Sequence, residues 1–329
     1  MHLVTGGTGF VGAHVVRALV ARGEGVRCLV RPSSDRASLE GLPVELAEGA
    51  LDDPRSLAAA MAGVDTVYHV AAEYRLGARN PASLYRSNVE GTRHLLQTAG
   101  EAGVSRIVYT STVGALVPNP EGGPADERHF PPNEQALIGH YKRSKFLAEQ
   151  VALSFARDGL PVVVVSPSAP IGELDRKPTP TGRLIVDFLR GKIPAYMDAG
   201  LNLVDVRDVA AGHLLAAERG VVGERYILGG RDFTLREILE TLARLSGRPA
   251  PRLRIPAWLA MSAAVVNTAW SWSLGKDPGI PVEGVRMAMK PMSFTPARAV
   301  RELGLPQSPI EDALGRAVEW FRQHGHVPA

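Results

Sequence analysis

Short runs of uninterrupted aliphatic residues alternate with helical stretches through the first half of the chain. Leu3-Val4, residues 26–30, 66–70 and 106–110, and the four valines at 162–165 read as strands, with a helix over 11–22 following the first of them. A strand with no polar position is one buried on both faces, as happens when parallel strands are joined by helices that cover the sheet. The rhythm predicts an α/β fold, a Rossmann-type doubly wound parallel sheet. It breaks at 166–182, where four prolines fall, and resumes as a strand–helix pair over 203–219. From Gly223 the pattern is mixed and proline-rich. The expected division is a larger domain of residues 1–166 with a returning segment 201–222, and a smaller, interleaved C-terminal domain of 167–200 and 223–329.

One stretch departs from this rhythm. Residues 255–274 hold no charged residue and carry three of the four tryptophans. Trp258, Met261, Val265, Ala269 and Trp272 share one helical stripe, and Leu259, Ala263, Val266 and Trp270 share another. A helix apolar on two sides is buried in protein, or it meets lipid or an apolar ligand. The length approaches a bilayer span. Ser262, Asn267, Thr268, Ser271 and Ser273 dilute it and Pro256 opens it, so a core or lid helix is expected, with an interfacial helix as the alternative and no transmembrane span.

Composition narrows the classes. The 329 residues are 45% apolar and 22% charged, ordinary for a folded chain and unlike a disordered or collagen-like one. The single cysteine, Cys28, leaves no intrachain disulfide and suits a reducing compartment. The 37 basic and 34 acidic residues are interspersed, so nucleic acid is not an expected partner. The chain enters its first strand directly, with no targeting segment read before it, and a cytoplasmic location is expected. The nine histidines are scattered without a His-Glu-x-x-His spacing, and no metal is expected. His69 and His140 read as a strand-tip and a pocket residue.

Residues 5–12, Thr-Gly-Gly-Thr-Gly-Phe-Val-Gly, place Gly6, Gly9 and Gly12 between the first strand and the first helix. Such a loop turns tightly at its first glycine, lets backbone approach a pyrophosphate at its second and packs helix on strand at its third, with the helix N-terminus facing the phosphates. Gly6, Thr8, Gly9, Phe10, Val11 and Gly12 are the predicted cradle. A site for NAD places a carboxylate at the tip of the second strand. This strand instead ends at Arg31, followed by Pro32-Ser33-Ser34. A guanidinium with hydroxyls behind it matches a 2′-phosphate, so NADP is expected over NAD, with Arg31 and Ser34 as its contacts.

Tyr141 and Lys145 stand four residues apart, on one face of a helix. A nearby ammonium would lower the phenol from its usual value near 10 and fit it for proton transfer at a carbonyl or carbinol oxygen. Upstream, the strand 106–110 ends in Thr110-Ser111-Thr112, which would put a hydroxyl beside the same oxygen.

With these motifs the chain resembles the extended short-chain dehydrogenase/reductase superfamily. The likeness runs through the glycine loop, residues 65–72, 88–92, 106–112, Tyr141…Lys145 and 204–210. A narrower resemblance, to the hopanoid-associated sugar epimerase family and its dihydroflavonol 4-reductase-like neighbours, rests on 139–149, 177–183, 194–196, 198–204 and 226–230. The resemblance implies a triad of Tyr141, Lys145 and Thr112, with Ser111 as the fallback hydroxyl and Asn88 ordering Lys145. It implies cofactor contacts at Ala71, Ala72, Thr110, Pro167 and Ser168, and Leu51 in place of the acid that usually contacts adenine, since Gly49-Ala50 replaces Gly-Asp. It also implies a homodimer through the helices 88–100 and 141–157. Ser166-Pro167 replaces the expected Asn-Pro, which weakens a nucleotide-sugar contact. Glu73, Tyr74, Arg75, Ser111, His140 and Ser166 are candidate substrate groups, and the long loop 117–139 is expected to close the pocket with the C-terminal domain.

The expected function is an NAD(P)-dependent oxidoreductase that moves hydride between nicotinamide and a ketone or secondary alcohol, the substrate being a small molecule, apolar or membrane-derived. A nucleotide-sugar or hopanoid-linked sugar epimerase is the alternative, and a non-catalytic NADP-binding sensor the third reading. A 4,6-dehydratase is rejected, because Val113-Gly114 stands where that reaction needs an Asp-Glu pair.

Overall fold

Val162 and Val164 face one side of their strand, Val163 and Val165 the other, and all four are fully buried, so helices must cover both faces of the sheet. The computed structural model describes residues 1–74, 80–275, 278, 282–290 and 292–327. In the larger unit the order is β1 (His2–Thr5), α1 (Phe10–Ala21), β2 (Val26–Val30), β3 (Glu45–Glu48), α2 (Pro54–Met61), β4 (Thr66–His69), α3 (Ala82–Tyr85), a π-turn (Arg86–Glu90), α4 (Gly91–Glu101), β5 (Arg106–Thr110), α5 (His140–Arg157) and β6 (Val162–Pro167). There follow β7 (Ala169–Ile171), α6 (Pro180–Leu189), β8 (Ala195–Tyr196), β9 (Gly200–Asp205), α7 (Val206–Arg219), β10 (Arg225–Leu228), β11 (Arg231–Thr234) and α8 (Leu235–Ser246). The chain then runs through β12 (Leu253–Arg254), α9 (Ala257–Ser273), α10 (Val282–Ala288), α11 (Ala297–Leu303) and α12 (Ile310–Gln323).

The main sheet is seven-stranded, in the order β3-β2-β1-β4-β5-β6-β10, with every pair parallel. Val15, Val16 and Leu19 of α1 and Val209 and Leu214 of α7 cover one face, against Val4, Cys28, Val108 and Val163. Leu57 of α2, Leu95 and Leu96 of α4 and Val151 of α5 cover the other, against Val67, Ile107 and Val164. Burial pushes the Cys28 thiol up to about 12, so it is an inert part of this core. The strand order reverses between β1 and β4, and ligands of such sheets bind at the carboxyl ends beside that switch.

The smaller unit packs β11-β9-β7 and the β12-β8 pair with α6, α8 and α12 around Ile185, Phe188, Leu242, Leu314 and Phe321. The division drawn from sequence does not coincide with the sheets. β9, within the segment 201–222, pairs with β7 and β11 of the small sheet. Beyond the boundary at 222, β10 is the seventh strand of the main sheet, paired with β6. Pairing over such sequence distances leaves no local signature.

The loop 117–139 is tied down along its length. Ala125 bridges to Phe294, donating to the Ser293 carbonyl at 2.9 Å and accepting from the Thr295 amide at 2.9 Å. The Ile227 amide of β10 donates to the Glu127 carboxylate at 2.9 Å. Within residues 255–274 the expected helix forms as α9, Ala257–Ser273, but it is not a core helix: only Ala264 and Thr268 of it are buried. No helix among the described residues is long and apolar enough to cross a membrane.

Candidate active site

The glycine loop leaves β1 at Thr5 and enters α1. Gly6 has φ +72°, and a Cβ there would lie 2.7 Å from the Ala71 amide at the end of β4. A Cβ on Gly12 would lie 2.1 Å from the Gly6 carbonyl oxygen, so helix and loop close only on glycine. Gly9 is the exposed N-cap of α1, donating to Gly6 O at 2.9 Å; it offers no side-chain cap, and the first turn (Phe10, Val11, Gly12) holds no acid. The positive end of a twelve-residue helix is thereby open to an anion. Thr8 is half-buried beside it.

Beneath the loop runs a polar chain that sequence reading missed. Thr92 Oγ donates to the Asn88 carbonyl at 2.7 Å, so it accepts from His69 Nε2 at 3.0 Å. That leaves His69 Nδ1 to accept from Thr5 Oγ at 2.8 Å, and the Ala71 amide donates to the same Thr5 oxygen at 3.2 Å. Burial, helped by the Lys145 charge, pushes His69 down to about 3, which keeps the imidazole neutral. His69 of β4 is thus a strut between Thr5 of β1 and Thr92 of α4.

At the edge of β5 the three hydroxyls diverge. Thr110 Oγ donates to His213 Nε2 of α7 at 2.9 Å, since His213 Nδ1 donates to the Val209 carbonyl at 2.7 Å. The contribution of Thr110 to the crevice is its carbonyl, which accepts from Lys145 Nζ at 2.6 Å. The Ser111 hydroxyl is buried and donates to Glu149. Thr112 is half-buried, and its Oγ accepts from the Gly114 amide at 3.1 Å, leaving its own proton to donate.

Tyr141 and Lys145 lie in the first two turns of α5. The Tyr141 ring packs on Tyr74 with centroids 4.3 Å apart. Burial raises the phenol above its ordinary value, contrary to the lowering expected from sequence, and it remains protonated at neutral pH. Burial brings the Lys145 ammonium down to about 8, with the Glu149 charge working to hold it up. The ammonium sits 4.7 Å from the Tyr109 ring centroid. Lys142, not singled out from sequence, is also brought down to about 8 by burial, and its Cε flanks Gly114 on the side of the Thr112 hydroxyl.

Asn88 does not bond Lys145 itself. Its Nδ2 donates to Ser144 Oγ and to the Glu73 carbonyl, both at 3.0 Å, and its Oδ1 accepts from the Glu73 amide at 2.8 Å. It therefore clamps the segment after β4 to the residue preceding Lys145, from within the π-turn. His140 Nδ1 meets Tyr85 Oη at 3.0 Å, and Glu73 accepts from Ser83 Oγ at 3.1 Å. Arg75 lies outside the described residues.

At the tip of β2, Arg31 is exposed; its amide donates to Ser34 Oγ at 3.2 Å and its carbonyl accepts from the Ser34 amide at 2.9 Å. Nearby carboxylates are engaged elsewhere, Asp35 with Arg176 and Glu48 with Arg36, and none pairs with Arg31 among the described residues. Leu51 packs over Gly91, where an added Cβ would lie 2.9 Å away, and its carbonyl meets His94 Nδ1 at 3.1 Å. Ala72 is half-buried next to Ala71. At the end of β6, Ser166 Oγ and Ser168 Oγ on either side of Pro167 are buried without a hydrogen-bond partner. A cradle that admits no Cβ, an uncapped helix N-terminus and two orphaned hydroxyls fit a nicotinamide dinucleotide laid across the carboxyl edge of the sheet.

These features define a dinucleotide-dependent enzyme of the extended short-chain dehydrogenase/reductase type, and the chain belongs to the NAD-dependent epimerase/dehydratase family, whose model matches residues 2–229. Among its relatives is a Synechocystis sp. protein provisionally named dihydroflavonol 4-reductase, 49% identical over 98% of this chain and 95% of its own. Another is sterol demethylase protein B of Methylococcus capsulatus, 39% identical over 99% of both chains. Among solved structures, a nucleoside-diphosphate-sugar epimerase from Pseudomonas aeruginosa superposes with a TM-score of 0.82 at 30% identity, covering 99% of each chain.

Proposed function

We propose that the protein is an NADP-dependent oxidoreductase that reduces a ketone or oxidises the corresponding secondary alcohol, with Tyr141 as the acid and base. The observation that carries this reading is Arg31. It stands exposed at the tip of β2, where an NAD site has a carboxylate, and no carboxylate among the described residues neutralises it. A cofactor drawn from the NADP pool fits net reduction better than a reaction that returns its own hydride.

When bound, the nicotinamide would supply or accept hydride at C4. Gly6, Thr8, Gly9, Phe10, Val11 and Gly12 would hold the pyrophosphate, Arg31 and Ser34 the 2′-phosphate, and Ser166 and Ser168 the carboxamide. A phenol that burial keeps protonated suits the direction of reduction: Tyr141 donates its proton to the substrate oxygen as negative charge develops there. Thr112, whose hydroxyl proton is uncommitted to the Gly114 amide, donates a second hydrogen bond to that oxygen. Lys145, steadied by the Thr110 carbonyl, would hold the ribose, and Asn88 fixes the turn of α5 that carries it.

The relative named for sterol demethylation favours an apolar substrate, as does the change to Ser166-Pro167. The epimerase reading is supported by the Pseudomonas neighbour. We further infer a cytoplasmic homodimer joined through α4 and α5. Titration with NADPH and NADH tests the reading. Arg31→Ala is expected to weaken NADPH by about ten- to a hundredfold, the loss of charge-assisted bonds, and to leave NADH nearly unchanged. Equal losses, or NAD retained through purification, would favour epimerisation.

A further inference from the structure

The exposed face of α9 inverts the usual rule. A surface helix turns its polar side to water, yet this one presents Trp258, Val266 and Trp270 at 69%, 70% and 68% exposure. At 100° per residue the exposed positions sweep an arc of about 200°, on which Ser262 and Ser273 are the sole polar side chains. Trp272 stands at one margin of that arc with Trp258 about 40° inside it, Trp270 stands about 20° inside the other margin, and Ala269, Val266 and the two serines fall between Trp258 and Trp270. The inner side of α9 rests on a small cluster, Met197, Ala264 and Val285, with α10.

Among the described residues, exposed and unpaired cations flank α9 in the chain. Arg252 precedes α9, and Arg286 and Lys290 lie in and just after α10; all three are exposed. Arg254 is paired with Asp198. The one acid of α10, Glu283, lies on its inner side, with its carboxylate 2.9 Å from where a Cβ on Gly139 would stand.

We propose that α9 is a membrane-docking helix that lies in the interface of an anionic lipid bilayer, its apolar arc among the acyl chains and its tryptophans at headgroup level. Tryptophan towards both sides of an apolar arc is the arrangement of a helix lying in the plane of an interface. The adjacent cations complement acidic headgroups. A second copy of the chain fits less well, because a two-fold contact presents the same patch to itself, and among the described residues the exposed carboxylate at the start of α9, Asp198, is already paired with Arg254. Through Glu283 the inner side of the α9–α10 unit borders Gly139, the N-cap of the helix that carries Tyr141. Docking would therefore put the bilayer on the outer side of a unit whose inner side borders the helix that carries Tyr141.

Flotation with vesicles of equimolar phosphatidylcholine and phosphatidylglycerol tests this on the intact protein. The wild type is expected to float with these vesicles and far less with phosphatidylcholine alone. The fourth tryptophan, Trp320, is buried in the core, so a blue shift of emission on adding vesicles reports the three on α9. Val266→Ser with Trp270→Ser should lower partitioning at least about tenfold. Arg252→Gln and Lys290→Gln should each lower it about fivefold. Both sets are exposed, and unchanged melting and dinucleotide binding identify them as folded. A wild type that stays at the bottom of the gradient with anionic vesicles, or variants that float as well as it does, would overturn the proposal. So would a concentration-dependent dimer in light scattering that the α9 substitutions split while no flotation occurs, which would assign the face to a second copy.

Discussion

Replacing Arg225 by methionine leaves the Glu149 carboxylate in the interior with one hydroxyl for a partner. In the wild type Glu149 is fully buried on α5, paired with Arg225 of β10 and accepting from Ser111 of β5, while Arg225 also donates to the Glu127 carbonyl at 2.9 Å. Removing one member of a buried ion pair costs about 3–5 kcal/mol, because the remaining charge is neither hydrated nor matched. For a chain of this size the loss corresponds to a fall in Tm of roughly 6–15 °C. Urea unfolding followed by far-ultraviolet circular dichroism measures the cost. Glu149→Met in the Arg225→Met background should recover most of it, since an apolar pair of similar volume carries no desolvation penalty. A single-variant loss below about 1 kcal/mol, or a double variant no better than the single, would refute the view that an uncompensated buried charge dominates. The same pair bears on the site, because the Glu149 charge helps keep Lys145 protonated.

Three further outcomes are expected. Tyr141→Phe should lower turnover by about 10²–10⁴-fold and leave NADPH affinity within about twofold, checked by steady-state kinetics and fluorescence titration; preserved turnover would remove the phenol from the chemistry. Gly12→Ala, which would drive a Cβ into the Gly6 carbonyl, should abolish dinucleotide binding in the same titration, and retained affinity would contradict the cradle. Stability should fall as pH drops from neutrality towards about 4.5. His69 and His213, held down to about 3 and about 4 by burial, take up protons only on unfolding. His14, lowered by burial, acts with them, whereas Asp175, pushed up to about 6, and Glu127 and Asp208, also raised by burial, act in the opposite sense; the histidines set the direction because their ordinary value near 6.5 puts their proton uptake on unfolding first as the pH falls. A urea midpoint that is flat or rising on acidification would show that these histidines are not buried neutral.

The parallel sheet and the glycine loop were legible because each is local: four consecutive valines announce a strand covered on both faces, and the Gly6–Gly12 spacing marks one turn between one strand and one helix. Placement across the sheet was not. Nothing in Arg225–Leu228 says that it joins β6 as a seventh strand, because its partner lies some sixty residues earlier. Thr110-Ser111-Thr112 identified the right corner but not the right atoms. Which hydroxyl faces the crevice depends on the direction of each side chain and on His213 and Glu149, both distant in sequence. The electrostatics of Tyr141 escape the sequence for a related reason: helical spacing announces the neighbouring ammonium, whereas the burial that raises the phenol comes from packing. The composition of α9 signalled an apolar environment, and only the folded chain shows its outer face turned away from the protein.

A crystal structure with NADP bound tests the central claim most directly. The account predicts the 2′-phosphate on Arg31 and the nicotinamide beside the Tyr141 hydroxyl, with Lys145 Nζ on its ribose. Density that places the nicotinamide away from that phenol and ammonium, or a 2′-phosphate that Arg31 does not touch, would contradict it.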